Sequence, residues 1–561
     1  MDLRQIFRGV VFVFAFLSGP AVAMSPPAIE ASQGMVVTAQ HLASRVGVEI
    51  LNAGGNAVDA AVAIGYAEAV VNPCCGNIGG GGFMVLHLAD GRDTVVNFRE
   101  TAPMAATPTM YLDKDGNPIP NASLIGYKAV GVPGTVMGLD RALAKYGRLK
   151  RRKVMEPAIR LARDGFVLTR FDTDIMDPLA EQFRRDPALA RVFLRPDGTQ
   201  LKPGDKLVQR DLAHTLELIS RQGTDGFYRG PIAAALSRAS AAQGGILLEA
   251  DLAGYTIAET TPLKCSYRGY VFVSVPPPSS GGTTMCEILN ILEGYDMKAL
   301  GFHSAASIRV MAEAMRYAYQ DRNTYLGDPA FVSNPLDRLL SKDYAATIRT
   351  RIESSKTPPE SSGPPSREKA QTTHYSVVDE DGNAVSVTYT LNGSFGALVM
   401  APGTGFLLND EMDDFTIKPG VPNLFGLIQG DANAIAPGKR PLSSMSPAIV
   451  THDGKPVLVL GSPGGSRIIT ITLETALNII DHGMAPQAAV DAPRIHYQGL
   501  PDKIFVESFA LSPDTERILR GQGYTLTEEA PWGGAELIAI SPGRLLGAND
   551  NRRPAGAAIG R

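Results

Sequence analysis

The residues best placed to do chemistry in this chain follow a sharp change of composition. Residues 354–371 are rich in Ser, Pro, Glu and Lys and offer little to bury, which predicts an exposed, mobile loop. The text then switches to Thr372-Thr-His-Tyr-Ser-Val-Val-Asp379, a strand pattern. Asp379-Glu-Asp-Gly382 reads as a hairpin turn, and residues 383–392 return as a second strand. Ser386, Thr388, Thr390 and Asn392 share one face of that strand, and Val385, Val387, Tyr389 and Leu391 share the other. A turn centred near Asp381 sets Thr390 opposite Thr372, within the one-residue shift that a bulge would introduce. Two hydroxyls and a carboxamide on one sheet face could activate an oxygen nucleophile. Threonines are also ordinary strand residues, and the pattern alone favours that plainer reading.

Gly464-Gly465 is the second candidate. It lies between an apolar strand at 457–460 and a helix opening near Arg467. Backbone N–H groups at such a junction can hold an oxyanion, one donor being worth ~3 kcal/mol in the transition state. A tight strand–helix turn would use the same glycines. The glycine run at 79–82 follows a helix and precedes a strand, the reverse of a dinucleotide fingerprint, and no Gly-Lys-Ser/Thr follows it. Close backbone packing is therefore expected there rather than phosphate binding. Ser462 stands in Gly-Ser-Pro-Gly-Gly, which is not the nucleophile-elbow pattern. The cysteine spacing is unlike a zinc site, and no His-Glu-x-x-His occurs.

These residues need a scaffold. A chain of 561 residues with 44% apolar content can bury a large core. Its net charge of −4 gives no reason to expect nucleic acid or an acidic membrane surface as partner. Arg4 and Arg8, the apolar run at 9–18 and Ala21-Val-Ala23 predict a signal peptide over 1–23. The alternative, a membrane anchor, would need a run of ~20 apolar residues. No later segment has such a run, so export as a soluble protein is expected, to the periplasm if the source is Gram-negative. Of the pairings open to Cys74, Cys75, Cys265 and Cys286, the vicinal one is expected not to form. A Cys265–Cys286 bridge and buried free thiols both remain open.

Thr38 is expected to cap a helix to about 53, and Asn56 a second, alanine-rich helix to about 71. Strands are expected at 84–88 and 270–275. The stretch 130–350 reads as mainly helical, with helices near 150–165, 228–243 and, capped by Ser304, to about 319. The residues themselves support a mixed α/β fold with antiparallel strands around Thr372.

Several motifs extend this reading. They are Thr372-Thr-His-Tyr-Ser, Asn409-Asp-Glu-Met-Asp-Asp-Phe415, Lys439-Arg-Pro-Leu-Ser-Ser-Met-Ser-Pro447 and Gly461-Ser-Pro-Gly-Gly-Ser-Arg467. With Asn97-Phe-Arg-Glu100, the glycines at 79–82 and Pro-Pro-Ser-Ser-Gly-Gly after 275, they span nearly the whole mature chain. Together they resemble the γ-glutamyltransferase (γ-glutamyltranspeptidase) family of N-terminal nucleophile hydrolases. The resemblance implies a four-layer αββα sandwich. It implies scission of the Gln371–Thr372 bond, leaving a large subunit (24–371) and a small one (372–561) as one intertwined heterodimer. Thr372 would then be the nucleophile and its freed α-amine the base. Thr390 would orient it, and Gly464 and Gly465 would form the oxyanion hole. Arg99, Ser443 and Ser444 would bind the α-carboxylate of a γ-glutamyl group; Glu411, Asp414 and Asn392 would bind its α-ammonium. The acyl group of glutathione or another γ-glutamyl amide would pass to water or an amine acceptor, with no metal or organic cofactor, no nucleic acid and no stable membrane span. Residues 419–427 look like the family's lid, with Phe425 where many members carry tyrosine. The missing hydroxyl predicts looser closure. The rival readings are a glutaryl-type cephalosporin acylase of the same fold and a non-catalytic periplasmic binding protein.

Overall fold

The computed structural model describes residues 25–354 and 370–561. The expected signal peptide and nearly all of the expected loop before Thr372 lie outside the described residues. The hairpin is the centre of the molecule. Strands Ala370–Val378 and Ala384–Gly393 pair antiparallel, with Thr372 opposite Thr390, His374 opposite Thr388 and Ser376 opposite Ser386. The bulge allowed for falls between Ala370 and Thr372, so it leaves the pairing from Thr372 onward in step.

Two seven-stranded sheets form the middle layers. The first runs Ala557–Gly560, Met35–Thr38, the two hairpin strands, Gly81–His87, Asp93–Asn97, Ala258–Thr260. The second runs Ile29–Ala31, Arg544–Asn549, Glu536–Ser541, Lys455–Gly461, Ala448–His452, Tyr270–Ser274, Leu263–Tyr267. Each sheet takes strands from both sides of position 372. Val37, Phe83, Val85, Ile449, Val459 and Ile538 fill the space between them. The valine and tyrosine face of the hairpin packs outward against helices that include His41–Asn52 and Ala57–Val71. Helices Gly281–Leu292, Ala305–Tyr325 and Ile468–Ile480 cover the second sheet. The result is the expected αββα sandwich.

Polar side chains tie the two sheets together at the hairpin. Ser386 Oγ donates to Leu460 O at 3.0 Å, and Ser376 Oγ lies 3.3 Å from Val459 O. A Cβ at Gly461 would sit 2.3 Å from His374 Cε1, so glycine is what lets the second sheet approach. The glycine run at 79–82 does the same work within the first sheet. Its strand starts at Gly81 rather than Met84, because Gly81 and Gly82 pair with Thr390 and Tyr389. A Cβ at Gly80 would come within 1.9 Å of Thr390 O.

Asn56 caps its helix as expected: its side chain accepts from Val58 and Asp59 N–H, while Asp59 accepts from Asn56 N–H. Thr38 does not cap one. It stays in the sheet between Tyr375 and Ala557, and Gln40 caps the helix instead, accepting from Leu42 N–H at 2.9 Å. The helices at Arg151–Asp164, Gly230–Ala242 and Ala305–Tyr325 fall where expected, the last extending six residues beyond 319.

The expectation for the vicinal cysteines is corrected: Cys74 and Cys75 are bonded to one another. They occupy the turn after the buried helix, where Cys75 N–H donates to Asn72 O and Cys74 O accepts from Phe395 N–H. Cys265 and Cys286 pair with each other across a Cα separation of 5.9 Å, so no other thiol is left for them. Among the described residues, no helix is long and apolar enough to cross a membrane.

The close approach at Gly80 gives a stability test. In Gly80→Ala the added methyl must push back the carbonyl of Thr390, and overpacking of this kind costs about 1–3 kcal/mol. Denaturant unfolding should therefore show a lower midpoint; an unchanged midpoint would contradict the packing described.

Candidate active site

Thr372 and Thr390 are both buried, and their Oγ1 atoms lie 3.1 Å apart. Thr390 Oγ1 also donates to Gln371 O at 3.1 Å and accepts from Asn392 N–H at 2.9 Å. A hydroxyl has one proton. If Thr390 gives its proton to Gln371 O, Thr372 must be the donor in the hydroxyl pair. The chain therefore places a hydroxyl proton relay around the carbonyl that precedes Thr372. Gln371 is itself held, since its Oε1 accepts from Arg553 Nη2 at 2.9 Å. His374 is no competing base: burial pushes its pKa down to about 3, and its ring contacts Thr388 Oγ1 and Ser376 Oγ.

Asn392 leads from the hydroxyl pair to the charged residues. It takes the left-handed conformation, φ 81°, which asparagine tolerates better than most residues, and its side-chain N–H donates to Asp410 O at 3.1 Å. Asn409 fixes the turn that follows, bridging Gly79 and Gly131 and accepting from Glu411 N–H. The 3₁₀ turn Glu411–Asp414 then presents its carboxylates to Arg99. Arg99 is fully buried and pairs with Glu411 and Asp414, with Glu100 3.5 Å away. Its Nε donates to Pro441 O at 3.2 Å, which sets it beside Ser443. Glu100 in turn lies over Gly81, the register partner of Thr390.

The charge count in this cluster does not close. Burial would strip Arg99 of its proton, but Glu411, Asp414 and Glu100 overcome it and hold the guanidinium firmly charged. The acids are worse off. Burial raises Glu411 well above the usual carboxylate range; Arg99 opposes this, while Glu100, Asp414 and Asp410 add to it. Burial likewise raises Asp414 against the pull of Arg99, and lifts Glu100 to about 7. Among the described residues Arg99 is the one cation paired with Glu411. Three buried carboxylates thus share Arg99 as their one ion-pair partner, with Arg322 acting on Asp414 only from beyond ion-pair distance, an arrangement that favours a further cation. The expected carboxylate binder and ammonium binders meet here as ion pairs with each other.

Ser443 Oγ accepts from Met445 N–H at 3.0 Å, and Ser444 Oγ accepts from Arg322 Nη2 at 3.2 Å. Gly464 and Gly465 both have positive φ, 140° and 55°, conformations that favour glycine. Their turn packs against the strand that carries Thr372, and no acceptor among the described residues takes either amide. They open onto the helix Ile468–Ile480, an arrangement that suits an anion.

The segment expected to act as a lid is held by backbone and asparagine contacts. Leu424 N–H donates to Asp413 Oδ2 at 2.8 Å, and Asn423 Oδ1 accepts from Phe425 and Leu427 N–H. The Phe425 ring packs into the core under the second sheet, and its carbonyl accepts from Gln498. Two residues of the site escaped the sequence reading. Glu100 stood in a quoted motif without a role, and Arg322 lay past the expected end of its helix.

The family model described as Gamma-glutamyltranspeptidase matches residues 43–560. A glutathione hydrolase proenzyme of Pseudomonas sp. (strain A14) is 58% identical over 551 residues, covering 96% of each chain. One from Escherichia coli (strain K12) is 47% identical over 571 residues, covering 98% of each. Among solved structures, the cephalosporin acylase from Bacillus halodurans matches with a TM-score of 0.85 at 27% identity, covering 98% of this chain and 99% of that one. The sandwich, the hydroxyl pair and this agreement along almost the whole length have one explanation: the chain belongs to the gamma-glutamyltranspeptidase family.

Proposed function

We propose that this protein is a self-cleaving γ-glutamyl hydrolase and transferase that acts on glutathione and other γ-glutamyl amides. The observation that carries the reading is the excess of buried carboxylate around Arg99. A γ-glutamyl group brings an α-ammonium, which would add a further cation for Glu411 and Asp414, now paired only with Arg99. It also brings an α-carboxylate, which Arg99, Ser443 and Ser444 would take up as the internal ion pairs loosen. A glutaryl group has no ammonium and would leave the acids as they are, at the cost of unpaired buried charge. The relatives named glutathione hydrolase proenzyme support both the donor and the idea of a precursor.

Maturation begins at the carbonyl of Gln371. Thr372 Oγ1 attacks it, passing its proton to Thr390, whose own proton goes to the carbonyl oxygen. The tetrahedral centre collapses: the C–N bond between Gln371 and Thr372 breaks, the proton on the former carbonyl oxygen passes to the nitrogen, and an ester links Gln371 to Thr372 Oγ1. Water hydrolyses that ester, leaving a carboxylate on Gln371 and a free α-amine on Thr372. That amine then serves as base for Thr372 Oγ1 in turnover. The hydroxyl attacks the γ-carbonyl, with the Gly464 and Gly465 amides holding the oxyanion. The amine leaves, a γ-glutamyl ester forms on Thr372, and water or an acceptor amine takes the acyl group. No step needs a metal or organic cofactor. The two pieces, 24–371 and 372–561, stay together because both sheets are built from both. Residues 1–23 would direct export, to the periplasm in a Gram-negative source.

Two measurements test this. Purified protein should run on a denaturing gel as two pieces joining at 371/372, and Thr372→Ala should run as one intact chain without activity. An uncut, fully active Thr372→Ala protein would end the proposal. Wild type should hydrolyse a γ-glutamyl anilide in preference to the matching glutaryl anilide; the opposite preference would transfer the reading to the acylase class.

A further inference from the structure

Arg322 sits in the last turn of the helix Ala305–Tyr325 and is 1% exposed. A buried guanidinium normally meets a carboxylate. Among the described residues this one has none within ion-pair distance, and every acceptor it uses is neutral. Nε donates to Ser280 Oγ at 2.9 Å. Nη1 donates to Asn323 Oδ1 at 2.8 Å and Gln429 Oε1 at 3.0 Å. Nη2 donates to Ser444 Oγ at 3.2 Å. Burial lowers its pKa to about 10, so it remains a cation at neutral pH.

The consequence lies in the serines. Arginine can only donate, so Ser444 Oγ must accept and its own proton points elsewhere. No acceptor among the described residues takes that proton. Ser280 Oγ accepts from the same guanidinium and donates to Ser443 O at 2.7 Å, and Ser280 N–H donates to Ser443 O at 2.8 Å. This braces the backbone from which Ser443 and Ser444 project. Ser443 Oγ is likewise occupied as an acceptor by Met445 N–H, which leaves its proton unclaimed. Two hydroxyl donors therefore stand ready on the segment that follows Pro441, whose carbonyl accepts from Arg99 Nε.

We propose that Arg322 is a positioning residue for the substrate's α-carboxylate: its fork on Ser444 and Ser280 turns the serine hydroxyls into donors and holds them where that carboxylate binds. This rests on the γ-glutamyl reading above. A plainer role would be to stabilise the C-terminal end of its helix. That role would be indifferent to whether Ser444 has a hydroxyl.

A double-mutant cycle separates the two. KM and kcat for a γ-glutamyl anilide are measured for wild type, R322Q, S444A and the double variant, each checked for the two-piece pattern. R322Q should raise KM roughly tenfold or more, as expected for a lost hydrogen bond to a charged group, with kcat changed much less, since the carboxylate is remote from the reacting carbonyl. In the S444A background the same substitution should add little. R322K keeps the charge but not the fork, and should also raise KM. If R322Q does not mature, R322K with S444A forms the same cycle. Equal costs in both backgrounds, or an R322K protein with wild-type KM, would overturn the proposal. Wild type without γ-glutamyl turnover would instead overturn the functional reading on which it rests.

Discussion

One residue of slip in the central hairpin would move Thr372 from the face between the sheets to the face covered by helices, because side chains alternate along a strand. Everything in the site depends on that slip not occurring. Three things oppose it. The Asp379–Gly382 turn sets the pairing from one end. Ser386 and Ser376 reach across to the second sheet, where a slipped strand would bury valines against polar backbone. The glycines at 80–82 pack so closely on the return strand that only glycine fits opposite Tyr389 and Thr390. Thr390 is then held on one side by Asn392 N–H and on the other by the carbonyl before Thr372. The meeting of the Thr372 and Thr390 hydroxyls is thus a result of strand register.

The second constraint is electrostatic. The turn at Glu411–Asp414 is anchored through Asn409 to the backbone around Gly79 and Gly131, so its carboxylates cannot move out to water. Arg99 compensates them only in part. The protein bears that imbalance at a buried site, where it is costly, and on the proposed reading a ligand lowers the cost only if it brings a cation together with an anion. Substrate choice follows from charge bookkeeping inside the fold more than from cavity shape. The lid adds enclosure, held by Asn423 and by the Asp413 contact.

The hairpin, its register and the role of the glycine run were legible in the sequence because each is a local matter of turn length, alternation and close packing. The cap at Asn56 was legible for the same reason. Thr38 was misleading, since nothing local reveals that its strand continues between Tyr375 and Ala557. The Cys74–Cys75 bond was missed because a local steric preference said nothing of the turn that is pinned on both sides. Arg322 was invisible for a different reason. Its partners come from three distant segments, and a cation with only neutral acceptors has no sequence signature. The resemblance named Arg99, Glu411 and Asp414 for opposite ends of a ligand; the structure pairs them with each other.

The central claim is that Thr372 carries the acyl group, and the direct measurement is the mass of the small piece during turnover. Enzyme mixed with a γ-glutamyl anilide and quenched rapidly in acid should show a fraction of the 372–561 piece heavier by one γ-glutamyl group, with fragmentation placing the addition on Thr372. An added mass on any other residue, or steady turnover with no acylated piece at any quench time, would contradict the account.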